Sequence, residues 1–281
     1  MTLASSEAEQ HARFEAAGAG NETTATAPGP DSTKIRPVET LLITTAAALW
    51  GCGAGMLIPR VAYRLSVPPQ VAWRAACPFE HSITGLGNGW LGRARCADGD
   101  AYGPSAPAVA TITAVICVVL AASTGARPEL AVWLLLAPVG VLLGTVDFAA
   151  HRLPDVLTLP FAAVALVLLG VATLVPHSGG SWISALLGSF TLGASYLVLF
   201  LVNSKGFGFG DVKLSFALGA VLGWYGWSIL LIGTFAGFLL GALYGAGLIL
   251  VGRAGHKTAI PFGPFLITGA FVGVLLGPRT L

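Results

Sequence analysis

The sequence predicts an all-α polytopic membrane protein: a bundle of about eight transmembrane helices with a small cytoplasmic loop domain. Three observations lead there. Only 10% of the 281 residues are charged and 55% are hydrophobic, whereas ordinary globular domains carry about 25% charged residues. Mean hydropathy is +0.79. Eight segments are apolar over the length, or nearly the length, that a hydrocarbon layer demands, roughly 20 residues each.

Residues 1–38 are polar and rich in Ala, Thr, Glu, Gly and Pro. They hold no apolar stretch behind a basic start, so they read as a disordered tail and not as a secretory signal. The predicted spans follow at 41–59, 107–123, 130–146, 156–175, 183–202, 212–224, 229–251 and 260–276. The sixth is short, and a glycine-rich loop lies just before it. It is expected to start below the membrane surface and to line a wet cavity. The membrane-embedded bundle therefore covers 39–281, with a loop at 60–105 and a core at 130–251 that carries the two acidic residues Asp147 and Asp211. The 37 glycines fit close helix–helix packing in lipid.

Basic residues set the orientation. If the loop after the first span is cytoplasmic, ten of the fifteen Lys and Arg fall on that side. They are Arg60, Arg64, Arg74, Arg93, Arg95, Arg152, Lys205, Lys213, Arg253 and Lys257. Both termini then lie outside. A net charge of +2 and the absence of a phosphate-binding Gly-Lys-Ser/Thr loop give no reason to expect nucleic acid or nucleotide as partner.

Two acidic residues sit at the edges of apolar spans, Asp147 at the end of the third and Asp211 at the start of the sixth. A carboxylate at hydrocarbon depth is costly and therefore rare and usually functional. Two helices intervene, so both acids are expected at the same membrane face. Two carboxyls in contact do not both ionise cheaply, and they share one proton. One carboxylate then takes a proton from an attacking water while the other carboxyl donates to a carbonyl oxygen. Gly206, Gly208 and Gly210 alternate with Phe207 and Phe209 just before Asp211. Glycine admits close approach of a second chain, so the run is expected to position a substrate peptide. Lys213 is grouped with these glycines as a loop-positioning residue, and is expected either to tune Asp211 or to snorkel to the surface. Asp155, after Pro154, is expected to N-cap the fourth span. His151 and Arg152 read as interfacial anchors.

Of the four cysteines, Cys52 and Cys117 fall inside apolar segments and read as packing residues. Cys77, His81, Cys96 and Asp98 lie in the long loop, but Cys-x-x-x-His followed by Cys-x-Asp fits no strong zinc template. No metal is expected.

Four pieces in order resemble the type IV prepilin peptidases, membrane aspartyl proteases of the Gly-x-Gly-Asp class. Asp147-Phe-Ala-Ala-His-Arg-Leu-Pro-Asp155-Val-Leu-Thr-Leu-Pro160 is similar to the family's first aspartate segment. Gly208-Phe-Gly-Asp211-Val-Lys-Leu214 is similar to its second. Gly53-Ala-Gly-Met-Leu-Ile-Pro-Arg-Val-Ala-Tyr-Arg64-Leu and Ile260-Pro-Phe-Gly-Pro-Phe-Leu266 are similar to its first-helix and last-helix segments. The resemblance implies an eight-helix inner-membrane aspartic endopeptidase with Asp147 and Asp211 as its catalytic pair. It would cut the leader of prepilins or pseudopilins at the cytoplasmic face, just before the pilin's apolar helix. Many relatives also methylate the new N-terminus with S-adenosylmethionine. Many carry two Cys-x-x-Cys pairs in the loop, associated with zinc. Here Cys77-Pro-Phe-Glu80 and Arg95-Cys96-Ala-Asp98 each lack a partner cysteine, so zinc is not expected from the resemblance either.

Two other readings compete. Intramembrane carboxylates also serve ion-coupled transporters, although no internal repeat supports that here. A catalytically silent scaffold of a pilus or secretion machine is the third.

Overall fold

The computed structural model describes residues 37–68, 70–204, 206–252 and 260–279. The expected tail (all but Val38 and Pro37 of 1–38), Lys205, Arg253 and Lys257 lie outside the described residues. Eight helices carry the fold: α1 Pro37–Leu65, α2 Ala106–Thr124, α3 Glu129–Ala150, α4 Asp155–Ala172, α5 Trp182–Val202, α6 Phe209–Gly223, α7 Trp227–Leu250 and α8 Gly263–Leu276. Among the described residues there are no strands, only two isolated bridges in the long loop. Six of the helices, all except α6 and α8, are long and apolar enough to cross a membrane. The protein is a multi-pass membrane protein.

The helix ends differ from the predicted ones for local reasons. α1 runs through Pro59 to Leu65 instead of stopping at the proline. The extra turns have partners outside the apolar layer. Arg60 is buried; its Nη1 donates to the Leu91 carbonyl at 2.9 Å and its Nε to the Tyr102 hydroxyl at 3.2 Å. Arg64 donates to the Asn88 carbonyl at 3.0 Å and lies over the Trp90 ring. The loop thus begins at residue 66, and it folds back onto the end of α1.

Helices approach closely where at least one face offers glycine. α5 meets α6 at Gly188, Gly219 and Gly223, where a Cβ on Gly188 would lie 2.6 Å from the Gly219 carbonyl oxygen. α1 meets α2 where Gly51 and Gly55 lie against Thr113, Ala114 and Ala110. On α7 the buried glycines 233, 237, 241 and 245 form a stripe at i, i+4 spacing, and Gly233 and Gly237 face Gly269 of α8. In lipid, where hydrocarbon gives no solvent-driven reason to associate, this close backbone approach is a main source of packing energy. Cys117 is buried as expected, but Cys52 is exposed and faces away from the bundle.

α6 stands in the middle, packed against α4, α5, α7 and α8. Eleven of its fifteen residues are buried. At 1.5 Å per residue it is about 22 Å long, shorter than a hydrocarbon core of about 30 Å. Its neighbours, not lipid, cover it, so it has no need to match the layer.

The connections gather at two opposite ends. At one end Gly179 N donates to both carboxylate oxygens of the fully buried Glu129, at 3.1 and 3.2 Å. There, too, Trp133 Nε1 donates to the Tyr225 hydroxyl at 3.1 Å, and Ser181 N to the Trp224 carbonyl at 3.0 Å. The opposite end holds the long loop, the α3–α4 and α5–α6 connections and the start of α8.

Candidate active site

Asp147 lies one turn before the end of α3, and Asp211 is the third residue of α6. Both are buried. Each is held by a glycine N–H: Gly263 N donates to Asp147 Oδ2 at 3.1 Å, and Gly208 N donates to Asp211 Oδ2 at 3.2 Å. Asp211 N in turn donates to the Gly208 carbonyl at 3.0 Å, so the aspartate closes the first turn of α6 on its own glycine. A carboxylate there also faces the positive end of the helix dipole.

One side chain links the two halves. Leu153, buried in the α3–α4 connection, lies 3.0 Å from where a Cβ on Gly210 would stand and 3.3 Å from one on Gly263. The neighbour of Asp211 and the hydrogen-bond donor to Asp147 therefore rest on the same leucine. The two carboxylates are near enough for their charges to act on one another. The sequence-predicted convergence of α3 and α6 at one end of the bundle holds.

The glycine run is accessible: Gly206 and Gly208 are exposed and Gly210 half-buried. Gly206 N is tied to the Asn203 carbonyl at 3.0 Å and to Asn203 Oδ1 at 3.2 Å. Phe207 turns inward, against Tyr196, Phe238 and Phe262. Phe209 packs on Phe200 and under Lys213 Nζ.

Two expectations need correction. Asp155 is not the N-cap of α4: Pro154 holds that position, and Asp155 is the first helical residue. Its carboxylate is 2.7 Å from Lys213 Nζ. Lys213 accordingly does not snorkel to the surface; it is mostly buried and bridges the starts of α6 and α4. Arg152 has a defined partner as well, donating to the Pro68 carbonyl at 3.1 Å and tying the α3–α4 connection to the long loop. His151 is exposed and takes a left-handed conformation that ends α3.

Sequence reasoning missed Tyr196. It is buried on α5, stacks on Phe238, and is close enough to Asp211 to feel its charge. Among the described residues no hydrogen-bond partner engages its hydroxyl. A lone tyrosine in an apolar helix gave no signal, because Asp211 approaches it only in the fold.

In the long loop Cys77, His81 and Cys96 come together, a convergence that their spacing did not suggest. Burial pushes the Cys77 thiol up, but hydrogen bonds from Cys96 and from Phe79 and His81 outweigh it and bring it down to about 7. Burial and the neighbouring Cys77 push Cys96 up to about 11.

A polytopic helical bundle with two buried carboxylates gathered at one end defines a class of intramembrane carboxylate proteins. Comparison with known proteins narrows the class: the chain belongs to the type IV leader peptidase family. The family model matches residues 130–246, a stretch that contains both Asp147 and Asp211. The prepilin leader peptidase/N-methyltransferase of Aeromonas salmonicida is 36% identical over 224 residues, covering 76% of this chain and 74% of that protein. That of Aeromonas hydrophila is 36% identical over 223 residues, with the same coverage. Leader peptidase HopD of Escherichia coli is 34% identical over 142 residues, which are 50% of this chain and 88% of HopD. No solved structure matches the chain.

Proposed function

We propose that this protein is a membrane aspartic endopeptidase that removes the leader of prepilins or pseudopilins, with Asp147 and Asp211 as its catalytic pair. The observation that carries the reading is that each aspartate is held by a glycine N–H and that Leu153 packs against both Gly210, beside Asp211, and Gly263, the donor to Asp147. One carboxylate, unprotonated, takes a proton from water as its oxygen attacks the scissile carbonyl carbon. The other, protonated, gives its proton to the carbonyl oxygen, forming a tetrahedral gem-diol. The first carboxyl then passes the proton it took to the leaving nitrogen while the second takes one back from a diol hydroxyl, and the C–N bond breaks to release the new amine and the leader's carboxyl. The fixed glycine donors keep each carboxylate oriented through the cycle, so little reorganisation is needed. The exposed glycine run offers backbone that an extended peptide approaches closely. Lys213, paired with Asp155, fixes the start of α6 beneath it. The excess of Lys and Arg in the loops at this end supports a site at the cytoplasmic face of a bacterial inner membrane.

Two relatives are also named N-methyltransferases. A second activity of that kind needs S-adenosylmethionine as donor. The cavity of about 330 Å³ between α2, α3, α4, α6 and α8 is lined by apolar side chains apart from Thr268. That lining does not fit a charged sulfonium donor. Proteolysis by the proposed pair requires no cofactor.

The test is co-expression with a candidate prepilin, read by mass spectrometry for leader loss and N-methylation. Asp147→Asn and Asp211→Asn each reduce cleavage by at least 10³-fold, as expected when one member of a two-carboxyl unit is lost, while the variants still insert. Full cleavage by either purified variant overturns the shared-proton mechanism. Ion flux in liposomes with no cleavage of any pilin would instead favour a transporter.

A further inference from the structure

The long loop contains a structural repeat with an offset of nineteen residues. Cys77 N donates to the His81 carbonyl at 2.9 Å and Glu80 N to the Cys77 carbonyl at 3.0 Å. Nineteen positions on, Cys96 N donates to the Asp100 carbonyl at 2.7 Å and Gly99 N to the Cys96 carbonyl at 3.0 Å. Each turn is closed by a bridge, Ala76 with Ser82 and Arg95 with Ala101. The fourth residue of each is left-handed, Glu80 at φ +66° and Gly99 at φ +91°. Two such turns, each starting at a buried cysteine, face one another.

The backbone of a paired-knuckle metal site is thus present while its fourth-position cysteines are Glu80 and Gly99. The donors that meet are instead Cys77, His81 and Cys96, whose ligand atoms all lie within 4.8 Å of one another. Zinc bound tetrahedrally at about 2.3 Å from sulfur and about 2.0–2.1 Å from nitrogen sets neighbouring donors about 3.4–3.8 Å apart. Cys77 Sγ is 3.7 Å from His81 Nδ1, and Asp98 Oδ2 is 3.6 Å from the same nitrogen. Both separations match edges of such a tetrahedron. Two sulfurs and an imidazole select zinc over the hard cations, which prefer all-oxygen shells.

We propose that Cys77, His81 and Cys96 bind one zinc ion, with the exposed carboxylate of Asp98 completing the tetrahedron. Binding takes both cysteines as thiolates, with their protons released to solvent, and the imidazole in its neutral form. His81, one position beyond the knuckle's usual donor, takes the place that Glu80 leaves. The metal clasps the two turns, and through them the loop, against Tyr63 on α1 and its partner Tyr102, whose ring centroids are 4.8 Å apart.

The full chain, purified in detergent without chelator, is expected to hold close to one zinc per chain by elemental mass spectrometry. Exchange with cobalt(II) should give a sulfur-to-cobalt charge-transfer band and the intense visible bands of tetrahedral cobalt. Cys77→Ser, Cys96→Ser and His81→Ala each lower zinc content at least 10-fold, and Asp98→Asn shifts the visible cobalt bands. Cys52→Ser and Glu80→Gln leave both readouts unchanged. Helical circular dichroism confirms that each variant is folded. A folded wild-type chain that stays metal-free after dialysis against buffered zinc overturns the proposal. So does loss of zinc in Glu80→Gln with retention in His81→Ala.

Discussion

Around the two aspartates, polar side chains differ in how well their partners hold them, and mutational cost follows those partners. Lys213 meets a carboxylate that is largely exposed. Exposed pairs contribute about 0–1 kcal/mol, so Lys213→Ala changes stability by less than about 1 kcal/mol. Its effect falls on the placement of the glycine loop: KM for a prepilin rises several-fold while kcat falls less, as steady-state cleavage kinetics would show. Tyr196 differs because its buried hydroxyl has no partner to lose among the described residues. Tyr196→Phe removes an unsatisfied polar group, and desolvating such a group costs about 1–3 kcal/mol. The variant is therefore expected to unfold at the same or a higher temperature than the wild type. If the hydroxyl serves only packing, the pH profile of cleavage stays where it was; a displaced profile shows that it acts on Asp211. Asp155, Lys213 and Tyr196 mark what sequence failed to convey at this scale. Their partners are 58 positions away for the ion pair and on another helix for the tyrosine, beyond the reach of local spacing rules.

Among the helices, glycine contacts decide which pairs hold. Gly188 and Gly219 approach so closely that either Cβ would meet backbone of the partner helix. Neither backbone yields as a side chain tip would, and overpacking of this kind costs about 1–3 kcal/mol or more. Gly188→Ala is expected to destabilise the bundle by that amount and to lower activity by tilting α6, measured by thermal unfolding in detergent beside cleavage. Glu129 offers the contrasting case at the far end. Glu129→Ala removes a fully buried carboxylate and leaves the half-buried Gly179 N without that partner, a loss of about 1–3 kcal/mol. It lies at the end away from the aspartates, so thermal stability drops while kcat of the surviving folded protein is retained. Helix existence was legible from apolar runs, and all eight appear. Their ends were not, because α1 outruns its proline on arginine contacts made with the folded loop.

For the molecule as a whole, connectivity brought the aspartates together: an even number of intervening helices returns the chain to the same end. That much was readable from order alone, whereas the loop's paired turns were not, since their repeat lies in hydrogen bonding and left-handed φ values more than in residue identity. The same topology predicts a sided enzyme. Reconstituted into vesicles, protein with the 66–105 loop facing out cleaves added prepilin presented from the outer leaflet, and protein of the reverse orientation does not. Protease accessibility of the loop, assayed on the same vesicles, reports the orientation.

α6 is several ångströms shorter than a hydrocarbon layer, so with the helix seated at mid-layer the acids at its mouth would be recessed below the lipid headgroups. The bundle then works as a depth gauge, hydrolysing whichever bond hangs at that fixed level when a pilin's greasy helix is seated beside it. Spacer residues inserted between leader and helix should carry the natural junction out of register, and the cut should fall at a new bond within the insert or vanish.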